Sequence, residues 1–376
     1  MNKKLFPILS AFLLLFSLIE KGQATETYRP ETSVAGFIQL PGSGRQVYNF
    51  NPGWRFFKGD IHGAESVDFD DRSWTIVSTP HTVELMPAEA SGCRNYQGPA
   101  WYRKHFVLPA ETKGKRVLIH FEAAMGKQVL YLNGKRIQEH VGGYLPFTLD
   151  LTTNGIQAGD SCLLAIFVDN SNDKSFPPGK PQYTLDFAYH GGIYRDVWMI
   201  AKSPVSITDP LDSQTVAGGG VFVHFDKISE KSAQVYVNTE LQNDNQHTET
   251  VTVETTLTDA DGKVIKRTSG KLSLKSGEKK IIRQQIEVKS PKLWSPDAPY
   301  LYKVQSRIKK GNQSIDGGIT RIGIRLAEFR GKDGFWLNGK PFVQLVGANR
   351  HQDFAYVGNA LPNSQQWRDA KRLRDA

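Results

Sequence analysis

The run Gly334-Phe-Trp-Leu-Asn-Gly-Lys-Pro341, continuing as Phe342-Val-Gln-Leu-Val346 and Gly347-Ala-Asn-Arg-His-Gln-Asp353, decides how the chain reads. Asn338-Gly339 between short apolar runs predicts a tight hairpin, because both turn positions of the favoured two-residue loop need positive φ. Phe342 to Val346 predicts a short apolar strand, and it empties into a polar loop carrying Asn349, Arg350, His351 and Asp353. A buried strand ending this way is the pattern of the first strand of a (β/α)8 barrel, where ligand-facing groups sit at the C-terminal ends of the strands. Asn363 or Ser364 is placed to cap a following helix, whose apolar Trp367, Ala370 and Leu373 fall at helical spacing. Such a barrel needs roughly 250 residues. Residues 328–376 are therefore expected to hold only the first βα unit of an incomplete, truncated barrel.

Outward from that segment, the chain is mostly β. Its 376 residues suit two or three domains, and 34 glycines, 19 prolines and 11% aromatics with few helical patterns favour sheets. From residue 45 to 202, β-like runs at Arg116 to Phe121, Gln128 to Leu132, Leu163 to Val168 and Val197 to Ile200 alternate with turn signals at Asn133-Gly134, Gly142-Gly143 and Gly191-Gly192. That pattern predicts a jelly-roll β-sandwich. Residues 203–327 carry alternating runs at Gln234 to Leu241 and Thr250 to Leu257, and Asp261-Gly262 marks a hairpin before Lys263 to Arg267. Their number and spacing predict an immunoglobulin-like β-sandwich.

The first 24 residues read as a secretory signal: Lys3 and Lys4, an apolar core from Leu5 to Ile19, then small residues at Gly22-Gln-Ala24. Residues 25–44 read as a polar leader or linker. Export to a bacterial periplasm or beyond follows, with no membrane span in the mature chain. Cys93 and Cys162 are expected to be free thiols. Forty-seven basic against 38 acidic side chains give +9, but the charges are scattered, which fits a solvated surface rather than a nucleic-acid site. No Gly-rich phosphate loop, CxxC pair or nucleophile elbow occurs, so nucleotide, zinc and serine-hydrolase chemistry lack their motifs.

Several stretches carry a family resemblance. Arg321-Ile-Gly-Ile-Arg325, Glu328-Phe329, Asp333-Gly-Phe-Trp-Leu-Asn-Gly-Lys-Pro341 and Gly347-Ala-Asn-Arg-His351 resemble the barrel entry of family 2 glycoside hydrolases. Gly98-Pro-Ala-Trp-Tyr-Arg103, Leu132-Asn-Gly134, Gly142-Gly-Tyr-Leu-Pro-Phe147 and Gly192-Ile-Tyr-Arg-Asp-Val197 are similar to the family's sugar-binding domain. Leu293-Trp-Ser-Pro296 with Pro299-Tyr-Leu-Tyr302 looks like the end of its immunoglobulin-like domain. The Asn-Arg-His form is most similar to β-galactosidases; β-glucuronidases more often carry Lys at the position of Arg350, and β-mannosidases diverge.

The resemblance implies a retaining exo-β-galactosidase that takes a terminal β-galactoside, with two glutamates as acid/base and nucleophile on later barrel strands, beyond Ala376. Asn95 and Asp186 match residues that reach from the sugar-binding domain to the substrate, and Arg350 and His351 lie in the barrel portion of the same site. A carboxylate at 186 suits two adjacent hydroxyls, and an imidazole at 351 can strengthen a hydroxyl bond as charge develops. Each residue also has a plain structural reading: a turn Asn, a loop-capping Asp, an Arg that braces backbone or carboxylates, a packed His. Glu328 and Asp353 are the carboxylates to weigh as substitutes in the barrel portion, and Glu328 reads as a linker residue. His351-X-Asp353 is a two-ligand pattern, too sparse for a metal site. No cofactor is expected in these residues, although the resemblance allows a divalent cation, and a homo-oligomer, in a full-length member.

His190 reads as structural, Arg195 and Asp196 as anchors of the first sandwich, and Trp294, Tyr300 and Tyr302 as filling of the second sandwich or its interface. Tyr144 and Phe147 have rings that can stack on a sugar, but their place before the strand Thr148 to Leu151 favours packing. Two other functions compete with the galactosidase: a non-catalytic carbohydrate-binding or scaffold module, and a family 2 β-glucuronidase or β-mannosidase.

Overall fold

The computed structural model describes residues 31–32, 39–86, 95–213, 215–216, 218–342, 347 and 349–376. The expected signal segment, Cys93 and positions 343–346 of the expected barrel strand lie outside the described residues. Among the described residues every strand pairing is antiparallel, the strands form several distinct sheets, and no closed barrel is present.

The first sandwich packs a five-stranded sheet on a six-stranded one. Strand Pro99–Val107 explains why its core closes. Ala100, Tyr102 and Phe106 point into the inter-sheet core with Phe50, Trp54, Phe121 and Ile166, while Trp101 points the other way, against Ala64 and Trp74. The stretch from Ile61 to Trp74 covers the outer face of this sheet, so the strand is buried on both sides, although alternation alone would leave one side to water. Each fully buried large apolar side chain contributes about 1.5–3 kcal/mol. Phe147 stacks on Phe121 with ring centroids 4.7 Å apart, as its position before a strand suggests. Cys162 is a free, buried thiol, and burial pushes its pKa up to about 12.

In the second sandwich, Ser232–Asn243 pairs with Val221–Asp226, Val205–Ile207 and Lys279–Lys289. Opposite it, Glu249–Thr258 lies between Val264–Leu274 and Tyr302–Lys310, with Gln313–Ile322 at the edge. The inward set Ala233, Val235, Val237, Leu257 and Val304 is the period-two pattern of a half-buried strand made solid. Tyr302 is buried in this core, and Tyr300 packs on it edge-on.

Residues 39–44, part of the stretch read as leader, pack on this second sandwich. Leu40 and Ser43 are buried, Arg307 donates to the carbonyls of Pro41 and Gly42, and Arg45 forms a two-pronged pair with the buried Asp316 at 2.8 and 2.9 Å.

The tetrapeptide Leu-Asn-Gly-Lys occurs twice, at 132–135 and 337–340. Both copies turn a hairpin with Asn and Gly at positive φ (49° and 81°, then 54° and 76°). In both, the Asn exchanges two bonds with a leucine outside the hairpin. Asn133 N–H donates to Leu163 O at 2.8 Å and its Oδ1 accepts from Leu163 N–H at 2.7 Å; Asn338 does the same with Leu326 at 2.8 and 3.0 Å. The second copy joins Phe335–Leu337 to Lys340–Pro341 in a small sheet with Ala327–Phe329, and Asn338 Nδ2 also reaches Trp294 O at 3.1 Å.

Helix Asn363–Asp375 follows, with Trp367 and Leu373 exposed. Its N-cap is Pro362, without a side-chain cap bond. Asn363 does not cap, because its carboxamide is drawn to Glu122 of the first sandwich at 3.0 and 3.2 Å. No helix among the described residues is long and apolar enough to cross a membrane.

Candidate functional site

A cleft of about 720 Å³ opens where residues 349–359 lie against the first sandwich. Its walls bring together Asp186 and Phe187 with Asn349, Arg350, His351 and Asp353, residues far apart in sequence. The C-terminal wall is held by the sandwich. Arg195 donates to Leu361 O at 3.1 Å and to Gln352 Oε1 at 2.6 Å, so it anchors across the junction, as does Asp196, which accepts from the Asn363 backbone N–H as well as from Asn51 on its own sandwich. Ala360 joins Ala123, Met125, Tyr189 and Tyr194 in a small apolar cluster. Gly358 has φ +54°, and a Cβ there would sit 2.3–2.6 Å from the His190 ring, so the wall approaches as closely as glycine permits.

Three of the four candidate residues from the sequence, Asp186, Arg350 and His351, line this cleft. Asp186 is exposed at its rim. His351 meets Phe187 edge-on, ring centroids 6.4 Å apart. Arg350 is turned to the helix: it donates to Gln366 Oε1 at 3.1 Å and pairs with Asp369, so its charge braces the wall. Asn95 is not among the lining residues. Its Oδ1 accepts from Gln182 Nε2 at 2.6 Å and its Nδ2 donates to Tyr189 O at 3.4 Å, which braces the turn that carries Asp186.

His190 lies beneath the cleft, 2% exposed, with Nδ1 unpartnered. Burial pulls its imidazole below the usual value, against a smaller opposing pull from Asp353 and a bond with Asn359. A neutral ring beneath Asn359, itself a buried lining residue, holds that amide toward the cleft. Glu328, in contrast, pairs with Arg330 at 2.7 Å in the short strand Ala327–Phe329 and takes no part in the cleft. Among the described residues no group of three or more metal-ligating side chains forms.

Sequence reasoning missed Asn359 as a lining residue and preferred packing to sugar stacking for Tyr144. Tyr144, read as packing, is 42% exposed on the cleft wall, and burial of its remainder raises its pKa. The signal was present in Gly142-Gly143, which let the chain swing Tyr144 away from the core that Phe147 enters. Asn359 had no signal, because its burial depends on a contact with residues far away in sequence.

Comparison with known proteins adds an independent observation. The model for the family described as glycosyl hydrolases family 2, sugar binding domain, matches residues 64–204, and that for glycosyl hydrolases family 2 matches residues 219–325. The chain is 34% identical over 339 residues to a β-glucuronidase of Formosa agariphila, covering 86% of this chain and 34% of that protein. It is 35% identical over 336 residues to a β-galactosidase of Thermoanaerobacter pseudethanolicus, covering 88% of this chain and 42% of that protein. The solved structure of Bacteroides uniformis β-glucuronidase 2, covalently bound to cyclophellitol-6-carboxylate aziridine, superposes with a TM-score of 0.78 at 31% identity, over 88% of this chain and 38% of that one. The chain thus spans well under half the length of each of these relatives.

Proposed function

This chain belongs to glycosyl hydrolase family 2, and from that premise we propose that it supplies the sugar-binding portion of an exported retaining β-glycosidase acting on a terminal β-galactoside. In this reading the first sandwich is the family's jelly roll and the second its immunoglobulin-like domain. Residues from 328 onward begin the barrel, and the signal at 1–24 directs export.

One observation carries the proposal: Asp186, from the sandwich, and His351, from the segment after it, face one cleft. Asp186 accepts bonds from adjacent sugar hydroxyls. His351 adds a hydroxyl contact that strengthens as positive charge builds on the ring in the transition state, and Tyr144 offers an aromatic face. A retaining mechanism needs two carboxyl groups about 5–5.5 Å apart, one as acid and then base, the other as nucleophile. The lining carboxylates here, Asp186 and Asp353, are used for binding and support, and the two glutamates are assigned to later barrel strands.

The local charge favours a neutral sugar. The Arg350 guanidinium is engaged by Asp369 and Gln366, so this wall offers a uronate no free guanidinium, while Asp186 and Asp353 would repel it. The names of the relatives favour a second reading, a β-glucuronide, since one relative and the superposed structure are β-glucuronidases.

The purified chain is expected to bind methyl β-galactoside in preference to methyl β-glucuronide, followed by ligand-observed NMR, and to turn over neither nitrophenyl glycoside. Asp186→Asn should weaken binding about tenfold through the loss of a charge-assisted bond. Unchanged binding by Asp186→Asn removes the assigned role, and preference for the glucuronide selects the second reading.

A further inference from the structure

A second and larger cavity, about 860 Å³, lies between the two sandwiches and shares no lining residue with the cleft. We propose that this groove is an accessory binding site for a neutral oligosaccharide, separate from the site that holds the terminal sugar.

Its walls are fixed before any ligand arrives. The first sandwich contributes residues 108–117 and 152–158; the second contributes Pro204 and the turns at 244–246 and 276–277. Arg116 clasps the two together, with Asp150 at 2.7 Å on its own sandwich and Asp212 at 2.6 Å and Asp244 at 3.5 Å across the junction. The size falls within the 300–1,000 Å³ usual for small-molecule sites, which favour domain junctions.

The lining chemistry selects the ligand class. Half-buried Ile156, Ala158 and Pro204 form an apolar floor for the C–H face of a pyranose. Around it stand Gln157, Asn245, Gln246 and Ser276, whose side chains make no hydrogen bond to other described residues. A carboxamide donates and accepts side by side, which matches a pair of vicinal hydroxyls. An anion finds little here. Arg116 is neutralised by its three aspartates, and Lys115 is lowered in pKa by burial and held by Gln46 at 2.5 Å, which leaves Lys113 at the rim. An extended peptide finds no open strand edge, because the lining strand Arg116–Phe121 is paired on both sides, with Val197–Lys202 and Phe147–Asp150. With no aromatic ring in the lining, affinity should be weak, about millimolar.

The test uses the whole chain and a β-1,4-galactotetraose carrying a diazirine, photolysed on the protein and mapped by mass spectrometry. Label is expected on peptides spanning 152–158 or 244–246, competed by unlabelled galactotetraose and unaffected by Asp186→Asn. Ala158→Trp, which fills the floor, should cut groove labelling at least tenfold with the thermal midpoint unchanged, and Gln157→Ala with Asn245→Ala should do the same without filling space. Label confined to 186–188 and 349–353, label that unlabelled sugar does not compete away, or displacement by millimolar inorganic phosphate would overturn the proposal. The failure of Asp186→Asn to alter cleft labelling bears on the proposed function alone.

Discussion

The first sandwich is gripped at two junctions built from opposite chemistry. Toward the second sandwich the grip is a buried charge: Asp316, fully buried, takes both prongs of Arg45 and the Ile207 N–H at 2.8 Å. Beside it Lys202 Nζ donates a hydrogen bond to Ile207 O at 3.0 Å, and burial lowers its pKa to about 8. Toward the C-terminal wall the grip is made of amides and carbonyls around two acids, the half-buried Glu122 and the buried Asp196. Asn363 reaches both, its carboxamide donating to Glu122 at 3.0 Å and its backbone N–H to Asp196, while Trp198 at 2.9 Å and Asn51 at 2.8 Å brace the same acids from within the sandwich. Burial raises the pKa of both acids despite these bonds. The charged junction fixes one orientation, since an unmatched charge there is costly, whereas the amide junction holds the cleft wall by many weaker bonds that can give way one at a time.

The largest effect that would sharpen this contrast is expected from Asp316→Ala. It leaves a mostly buried guanidinium and a backbone N–H unpaired, and should cost about 3 kcal/mol in denaturant unfolding. A loss below about 1 kcal/mol would mean that water replaces the carboxylate and that the junction is no more rigid than the other.

Gly358→Ala comes next, at about 2 kcal/mol, because the new methyl meets the His190 ring at a positive φ. The loss should be local: faster hydrogen exchange at the Met86 amide, which donates to Tyr356 O at 2.8 Å, and no change at Ile207. Equal exchange at both amides would show that the two junctions open together.

The pH response should separate them by sign. Glu122 and Asp196 hold protons more readily when the wall is docked, so docking is fully supported below the usual carboxylate values and weakens as pH rises through the raised ones. Lys202 has the reverse sense. Its unfolded form binds more protons between pH 8 and 10.5, so its cost at the sandwich junction disappears as pH climbs through that window. The Trp198 indole N–H resonance should titrate in the acid range in the native protein and lose most of that change in Glu122→Gln. An unaltered titration would assign the response elsewhere.

The smallest effect is expected from Ser364→Ala, below about 0.3 kcal/mol, because no side chain caps the helix. A loss near 1 kcal/mol in helix stability would reveal a working cap and a C-terminal wall more firmly built than its bonds suggest.

The same contrast explains what could be read in advance. Strands at Arg116–Phe121 and Val197–Lys202, and both Asn-Gly turns, are legible in the sequence because short apolar runs and positive-φ turn residues are local properties. The cap was misjudged because Asn363 serves Glu122, a partner 241 positions away. For the same reason the sequence leaves Arg350 open between ligand and brace, since only the fold brings Asp369 to it. Residues 39–44 lack a core pattern and still pack, because their work is done by Leu40 and by backbone carbonyls that any sequence would offer. The convergence of Asp186 and His351 can be inferred from resemblance and the turn of Tyr144 from Gly142-Gly143, while Asn359 requires the contact itself.

The paired Leu-Asn-Gly-Lys hairpins also set how this protein ages. An asparagine followed by glycine loses ammonia when the glycine nitrogen attacks the carboxamide carbon, which converts a neutral side chain into an acid and makes Asn a thermolabile residue. Both hairpins slow the attack by pinning Oδ1 to a leucine N–H, but Asn338 is also tied through Nδ2 to Trp294, whereas Asn133 is exposed and held by its oxygen alone. In a stored sample the first acidic charge variant should therefore arise at Asn133, where the new carboxylate can keep the leucine bond and the sandwich beneath it stays folded.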